Sequence, residues 1–334
     1  MEHVAIDLGG RKSQVCIRAA NGDIVRETRV ATRDLPKLMQ QLTPSRVIVE
    51  TCAEAFFVAD AARAMGHDVR VVPATLVKAL GVGARGIKTD QRDARALSEA
   101  SCRVELPSVH ISSALSRERK TLCAMREGLV RSRTQMINGV RGWLRAQALS
   151  LSAGNTEAFP KRIRKLEVAL PSYVERQLVA IESVTTQIRD ANRELARLAK
   201  SDSICTRLMS VPGVGPMTAI VFVATLDDIS RFQGAHQVQS YLGLTPGEHS
   251  SSESQRRTGI TKAGSTRMRW ALVQAAWAAR RTAGTHPMVA WSIEVEKRRG
   301  KRIAIVALAR KMAGILYALW RDGTFYSAEV APPT

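Results

Sequence analysis

A chain of 334 residues, 45% of them hydrophobic, is long and apolar enough for a buried core and more than one domain, which excludes wholesale disorder. Lys and Arg number 50 against 30 Asp and Glu, and a net charge of +20 calls for a polyanion. Nucleic acid fits better than a membrane surface, because no lipidation motif and no basic amphipathic terminal anchor is present.

Met1-Glu2-His3 runs straight into a strand pattern, so no signal peptide is expected ahead of the fold. Val4 to Gly10 is a short apolar run closed by a Gly pair, which predicts a buried strand ending in a turn. Ser13 to Ala19 and Asp23 to Ala31 predict two more strands, joined by the hairpin signal Asn21-Gly22. Leu35 to Leu42 reads as helix and Ser45 to Glu50 as a fourth strand. Ala55 to Met65 then reads as helix, Asp68 to Val72 as a fifth strand, and Leu76 to Leu80 as helix. This is the element order of a ribonuclease H-like fold, a mixed α/β sheet with crossover helices, expected over residues 1–112.

Lys88-Thr89-Asp90-Gln91-Arg92-Asp93-Ala94 follows, opening a helical run from Asp93 to Ala100. Asp90 and Asp93 stand three apart, on one helix face. An acidic first turn suits the helix dipole by itself. Two further carboxylates add a second meaning. In the expected fold Asp7 lies on the central first strand and Glu50 at the end of the fourth, its neighbour. Asp7, Glu50, Asp90 and Asp93, once converged, cannot all ionise without divalent cations, and a two-metal phosphodiester site is built in this way. Ligands that offer only oxygen select Mg²⁺ or Mn²⁺. Ile6-Asp7-Leu8-Gly9-Gly10 also resembles the first phosphate loop of actin-like and sugar-kinase ATPases. Their second loop has one later candidate, Asp322-Gly323-Thr324, and no strand follows it.

Charge is uneven along the chain: +3 over residues 1–112, +8 over 113–203 and +9 over 204–334. The polyanion-binding excess thus follows the near-neutral acidic domain. Ser113 to Ala148 reads as one long basic helix on which Arg131, Arg133, Arg141 and Arg145 track a phosphate backbone or line a solvated face. Tyr173 to Lys200 is helical again, with Leu178, Ile181, Thr185, Ile188, Asn192, Leu195 and Ala199 on heptad positions, which fits a coiled coil or an intramolecular hairpin. Ile303 to Trp320, the most apolar late segment, has Arg310 and Lys311 at its middle and reads as a soluble helix. Cys16, Cys52, Cys102, Cys123 and Cys205 are scattered with no Cys-x-x-Cys pair, which excludes a zinc site and a disulfide framework and points to a reducing cytosol.

From residue 204 a mainly helical domain is expected. Val211-Pro212-Gly213-Val214-Gly215-Pro216 joins two helices, either as a plain tight turn or as a helix-hairpin-helix signal whose Gly213 and Gly215 amides meet phosphate. Gly243-Leu244-Thr245-Pro246 leads into a polar loop, Gly247 to Ser254. Arg256, Arg257 and Lys262 follow, then a helix bearing Arg267 and Arg269, all candidates for phosphate contact.

Asp7, Glu50 and the Lys88-Thr89-Asp90-x-x-Asp93-Ala94 motif resemble the RuvC-like DEDD domain of the IS110 (IS-one-ten) family, the bridge-RNA-guided insertion-sequence transposases. Val211 to Gly215, Gly243 to Pro246, and Thr261 to Gly264 with Arg267-Met268-Arg269 resemble the family's C-terminal transposase domain. The resemblance covers nearly the whole chain and is weakest in the helical middle. It implies a DNA recombinase whose nucleophile is a serine a few residues after the Gly-Leu-Thr-Pro turn. That residue is Ser251; the family typically carries bulky or charged residues just before it, whereas here Ser250 and Ser252 flank it. It further implies DNA ends and target as substrates, a guide RNA from the element's non-coding end, and a bacterial, nucleoid-associated location. Dimers pairing into tetramers are implied as well, with the carboxylates of one subunit meeting the serine of another.

Overall fold

Alternating apolar residues put Val4 and Ile6 on one face of β1 (His3–Asp7) and Ala5 on the other, and the rest of the first sheet repeats this division. The structure is a computed structural model and describes residues 1–79, 89–251 and 254–327; the side chains of 77–79, 249–251 and 254–257 lie outside that description. The chain forms two compact units, Met1–Ser112 and Ser113–Thr334.

In the first unit β1 is followed by β2 (Lys12–Arg18), β3 (Ile24–Ala31), α1 (Leu35–Gln40), β4 (Arg46–Glu50), α2 (Ala55–Ala64), β5 (Asp68–Val72), α3 (Ala74–Ala79) and α4 (Asp90–Arg103). The sheet order is β3-β2-β1-β4-β5. The first three strands pair antiparallel, while β1, β4 and β5 pair parallel. The mixed sheet therefore has the expected ribonuclease H-like arrangement, and strand ends agree with the sequence reading to within about two residues. Lys88 of the acidic motif and Leu80 of the expected helix lie outside the described residues.

Val4, Ile6, Val15, Ile17, Val47, Val49, Val69 and Val71 bury one face of the sheet with α1 and α2. The other face carries Ala5, Ile48 and Val72 against Leu97 of α4. Small residues there let α4 lie close: Ser98 Oγ reaches Cys16 Sγ at 3.3 Å, and Ser101 Oγ stands 2.8 Å from His3 Nδ1. Thr89 caps α4 by accepting from the Arg92 amide at 3.3 Å.

The second unit contains α5 (Ala114–Ala146), α6 (Phe159–Arg164), α7 (Ser172–Ser201), α8 (Ser203–Leu208), α9 (Pro216–Leu226), α10 (Ala235–Tyr241), β6 (Pro246–Ser251), β7 (Ser254–Ile260), α11 (Thr266–Thr282), α12 (Pro287–Arg299) and α13 (Lys301–Asp322). Here α5 and α7 pack on each other within the chain, so the intramolecular hairpin is what the structure contains. Arg126 Nε donates to Asn192 Oδ1 at 2.9 Å across that hairpin, and Thr185 is buried in its seam. The helical middle has its own apolar cluster, built on Ile137, Leu144, Phe159, Ile163, Leu178 and Ile181, while Leu195 and Ala199 near the end of α7 join the cluster of α8, α9, α11 and α13.

Asp202 makes the break between α7 and α8. Its Oδ1 accepts from the amides of Ile204 (2.8 Å) and Cys205 (2.9 Å), and its Oδ2 pairs with Arg119 of α5 at 2.6 Å. An 18-residue window of α13 has a mean hydropathy of 1.6 and the helix is long enough to cross a bilayer, yet Leu308, Met312 and Leu316 place it at the centre of this core. Burial pushes the thiols of Cys123 and Cys205 up, to about 11 and about 12, so both remain protonated and pack as small apolar groups.

The turn between α8 and α9 holds Gly213 at a φ of +85°. A Cβ there would stand 2.2 Å from Ala275 O and 2.6 Å from Ala279 N, both backbone atoms of α11. Gly213 is thus required by close helix packing, a role separate from any phosphate contact. Gly213→Ala should cost about 3 kcal/mol, from left-handed strain plus overpacking. Urea denaturation checks this, and a loss under about 1 kcal/mol would show that the turn moves aside.

Candidate active site

The sheet register brings acidic and polar residues into one row at the C-terminal end of β1. Asp7 pairs with Gln14, and Gln14 with Arg29. On the other side Ile6 pairs with Val49, so Asp7 and Glu50 are the next residues along two adjacent parallel strands. The row Arg29, Gln14, Asp7, Glu50 lies on the face that α4 covers, because Ala5 and Ile48, two residues earlier, touch Leu97.

Contacts fix the direction in which α4 crosses. Ser101 meets His3 and Leu97 meets Ala5, so the helix runs antiparallel to β1 and its N-terminus comes over Asp7. From Ser101 to Asp93 the helix advances about 12 Å, and from His3 to Asp7 the strand advances about 13 Å. Asp93 therefore arrives at the level of Asp7. Only 4% of Asp93 is exposed, so it faces the sheet. Asp7, Glu50 and Asp93 come from three segments to one edge, with the positive end of the α4 dipole beside them.

Asp90 sits one turn further out. It is exposed, and its carboxylate stands 3.7 Å from Arg29 in a pair whose side chains are 62% and 64% exposed. The expected convergence of all four carboxylates is therefore one of backbone placement. Among the described residues no three acidic, His or Cys side chains stand together closely enough to hold a metal ion. The donor set itself fits a hard divalent cation, since only carboxylate oxygens are offered. Glu27 was not anticipated: it receives Arg95 Nε (2.6 Å) and Gln91 Nε2 (3.1 Å), tying α4 to β3. The Arg95 hydrogen bond holds the Glu27 carboxyl below its usual range. A pair 68 residues apart leaves no local sequence signal.

In the second unit the polar stretch read as a loop is an antiparallel hairpin. β6 and β7 pair Glu248 with Arg257, His249 with Arg256, Ser250 with Gln255 and Ser251 with Ser254. Ser251 closes β6; Ser252 lies outside the described residues. The root of the hairpin is a close backbone crossing. A Cβ on Gly243 (φ +69°) would stand 2.1 Å from Ala263 O, and one on Gly264 (φ +70°) would stand 2.1 Å from Tyr241 O. Lys262, exposed, is held between these glycines at a φ of +58°.

Two expected phosphate ligands, Arg267 and Arg269, have partners within the chain. Arg267 Nε pairs with Glu127 of α5 at 2.8 Å, and its Nη1 donates to Lys120 O at 3.4 Å. Arg269 Nη1 donates to the carbonyls of Leu242 (3.3 Å), Ala263 (2.5 Å) and Gly264 (3.1 Å), clamping the hairpin root. Isolated cations in sequence looked available; 140 residues separate Arg267 from the carboxylate that neutralises it.

Comparison with known proteins bears on both units. Residues 4–147 match a family model for a DEDD transposase of the IS110 type, and residues 205–289 match the model described as the transposase IS116/IS110/IS902 family. The chain is 29% identical to the transposase for insertion sequence element IS1111A of Coxiella burnetii, over 95% of this chain and 88% of that protein. It is 29% identical to a probable family 20 transposase of Pseudomonas aeruginosa, over 98% of each chain. A further relative, the transposase for insertion sequence element IS1328 of Yersinia enterocolitica, is 27% identical over 97% of this chain and 98% of that one. With both models matched in order and relatives aligned end to end, the chain belongs to the IS116/IS110/IS902 family of insertion-sequence transposases.

Proposed function

We propose that this transposase cuts and rejoins DNA through a divalent cation, Mg²⁺ or Mn²⁺, held by Asp7, Glu50, Asp90 and Asp93, and through a serine nucleophile, Ser251. The observation that carries the reading is the placement of these residues within the matched segments. The four carboxylates fall in residues 4–147, and Ser251 falls in residues 205–289.

A divalent ion held by the carboxylates supplies charge neutralisation to the oxygens of a reacting phosphodiester. Asp7 and Glu50, fixed on adjacent strands, and Asp93, fixed by burial of α4, form the rigid part of the cage. Asp90 joins by leaving an exposed pair with Arg29, and exposed pairs of that kind are worth about 0–1 kcal/mol, so the change is small.

Ser251 Oγ would attack phosphorus, forming a phosphoserine ester as the deoxyribose oxygen leaves. Attack by a deoxyribose hydroxyl on that ester reverses the step with a new partner strand and frees the serine. One phosphoester bond forms for each that breaks, so no nucleotide cofactor is needed. His249 is a candidate to take the serine proton, and Arg256 and Arg257 are candidates to balance the transferring phosphate. Lys262, at the hairpin root, completes the basic set. A guide RNA pairing with element ends and target would read sequence, leaving backbone and shape to the protein. An aromatic content of 4% suits that division, since few rings are available for base stacking. Assembly as dimers pairing into tetramers belongs to the same proposal.

The test traps protein on DNA. Wild type and the variants Ser250→Ala, Ser251→Ala and Ser252→Ala are incubated with Mg²⁺, labelled element-end DNA and RNA transcribed from the element's flanks. Denaturing gels should show a covalent adduct lost only in Ser251→Ala and absent when RNA is omitted. Free cleaved ends without an adduct in any variant would replace the serine mechanism with metal-dependent hydrolysis by the carboxylates alone.

A further inference from the structure

Residues 297–302 read Lys-Arg-Arg-Gly-Lys-Arg, five cations in six positions, and the structure folds them into a corner. α12 ends at Arg299 and α13 begins at Lys301, joined by Gly300 alone. Gly300 has φ +82° and ψ 159°, a conformation essentially restricted to glycine, so the corner is built for this residue. All five cations are exposed.

The two helix ends treat these charges differently. Lys297, Arg298 and Arg299 sit in the last turn of α12, where the negative end of the dipole favours them. Lys301 and Arg302 sit in the first turn of α13, where the positive end opposes them. That turn has no acidic residue, and no side chain caps it. Neighbouring carboxylates are already engaged: Glu294 with Lys297 at 2.7 Å, and Glu296 with Arg280 of α11 at 2.5 Å. Among the described residues Arg298, Arg299, Lys301 and Arg302 have no ion-pair partner. The Lys301 ammonium lies 5.2 Å from the centre of the Trp277 ring, which covers the aromatic face at this corner.

We infer that the α12–α13 corner is a clamp for the backbone of duplex DNA, with Arg298, Arg299, Lys301 and Arg302 each meeting a phosphate. The inference rests on the reading of this chain as DNA-acting. Four unpaired cations and the free amides of an uncapped helix start match an oxyanion with several acceptor atoms. No open ring is offered at the corner for base stacking, so it holds backbone and does not read bases. The clamp shares no residue with the hairpin that bears Ser251 or with the acidic row.

The experiment is a salt titration of binding between full-length protein and a 30-base-pair duplex, followed by fluorescence anisotropy. It compares wild type with the quadruple variant R298Q/R299Q/K301Q/R302Q. A control, R176Q/R193Q/R197Q/K200Q on the exposed face of α7, removes the same charge elsewhere. Loss of four phosphate contacts should flatten the slope of log K against log [KCl] by about 3.6, with affinity at 100 mM salt down roughly a hundredfold or more. The control should change the slope by less than about 1. Circular dichroism should show the same helix content in all three proteins. A corner variant with the wild-type slope would overturn the proposal, and so would an equal loss in the control. A parallel titration with single-stranded RNA closes the remaining route: a loss confined to RNA overturns the assignment to duplex DNA. Failure of wild type to bind duplex in a salt-dependent way would instead sink the underlying reading of the chain as DNA-acting.

Discussion

Asp7→Asn should lower Mg²⁺-dependent DNA cleavage about a thousandfold while leaving melting temperature and DNA affinity near wild type. The size follows from removing one anionic ligand: charge stabilisation by a bound metal is worth several kcal/mol, and about 4 kcal/mol is a factor near a thousand. Asn keeps the volume and an oxygen acceptor, so the end of β1 keeps its register with Gln14. Asp93→Asn should behave alike, because Asp93 is buried on the α4 face that lies over Asp7. Glu50→Gln completes the rigid set.

Asp90 separates a metal-site reading from a purely structural one. If its place beside Arg29 were its whole role, Asp90→Asn would change cleavage no more than Arg29→Gln does. The expected result is unequal: Asp90→Asn falls with Asp7→Asn, and Arg29→Gln stays within about threefold of wild type, since an exposed pair contributes about 0–1 kcal/mol. Single-turnover cleavage at saturating Mg²⁺, with binding measured alongside, checks both. Full activity in Asp7→Asn would remove the acidic row from the chemistry.

The first unit was legible because its signals are local. Val-rich runs, the Asn21-Gly22 turn and the three-residue spacing of Asp90 and Asp93 fix elements by short-range pattern, and the ribonuclease H-like order follows from their sequence. The hairpin of residues 246–260 was not legible for the converse reason. Gly-Glu-His-Ser-Ser-Ser-Glu-Ser contains no β-branched or aromatic residue, and its strands exist through backbone pairing that intrinsic preference does not reveal. Long-range neutralisation was hidden in the same way. Nothing near Arg267 in sequence shows its Glu127 partner, and nothing near Arg269 shows the three backbone carbonyls its guanidinium holds. Gly213 shows one residue type supporting two readings, since a phosphate loop and a close helix crossing both require glycine. Charge count alone therefore locates a polyanion-binding unit without saying which cations are available, and that needs each carboxylate partner to be placed.

Asp202→Ala should be the most damaging single change to stability in the second unit, at about 4 kcal/mol, from the stranded charge of Arg119 with the lost cap of α8 adding to it. Side chains of the Arg119–Asp202 pair are only 12% and 14% exposed, so solvent cannot take over the abandoned guanidinium. For a unit of this size that loss lowers the melting temperature by about 10 °C. Burial alone would raise the Asp202 carboxyl, but the amides of Cys205 and Ile204 and the Arg119 guanidinium outweigh it and hold it below its ordinary range. A carboxyl depressed in the folded state stabilises above its unfolded value, near pH 4, and loses that contribution as pH falls through its folded value. The stability gap between wild type and Asp202→Asn should accordingly be full at pH 7 and shrink as the pH is taken below about 4. Two controls complete the test. Asp202→Asn should be milder than Asp202→Ala, because Asn retains an oxygen for the cap. Arg119→Met combined with Asp202→Asn should recover about half of the loss, since removing both charges leaves none stranded. A double variant no more stable than Asp202→Ala would assign the cost to the cap and the packing of the α7–α8 break, and the ion pair would then contribute little to holding the helical hairpin on the C-terminal core.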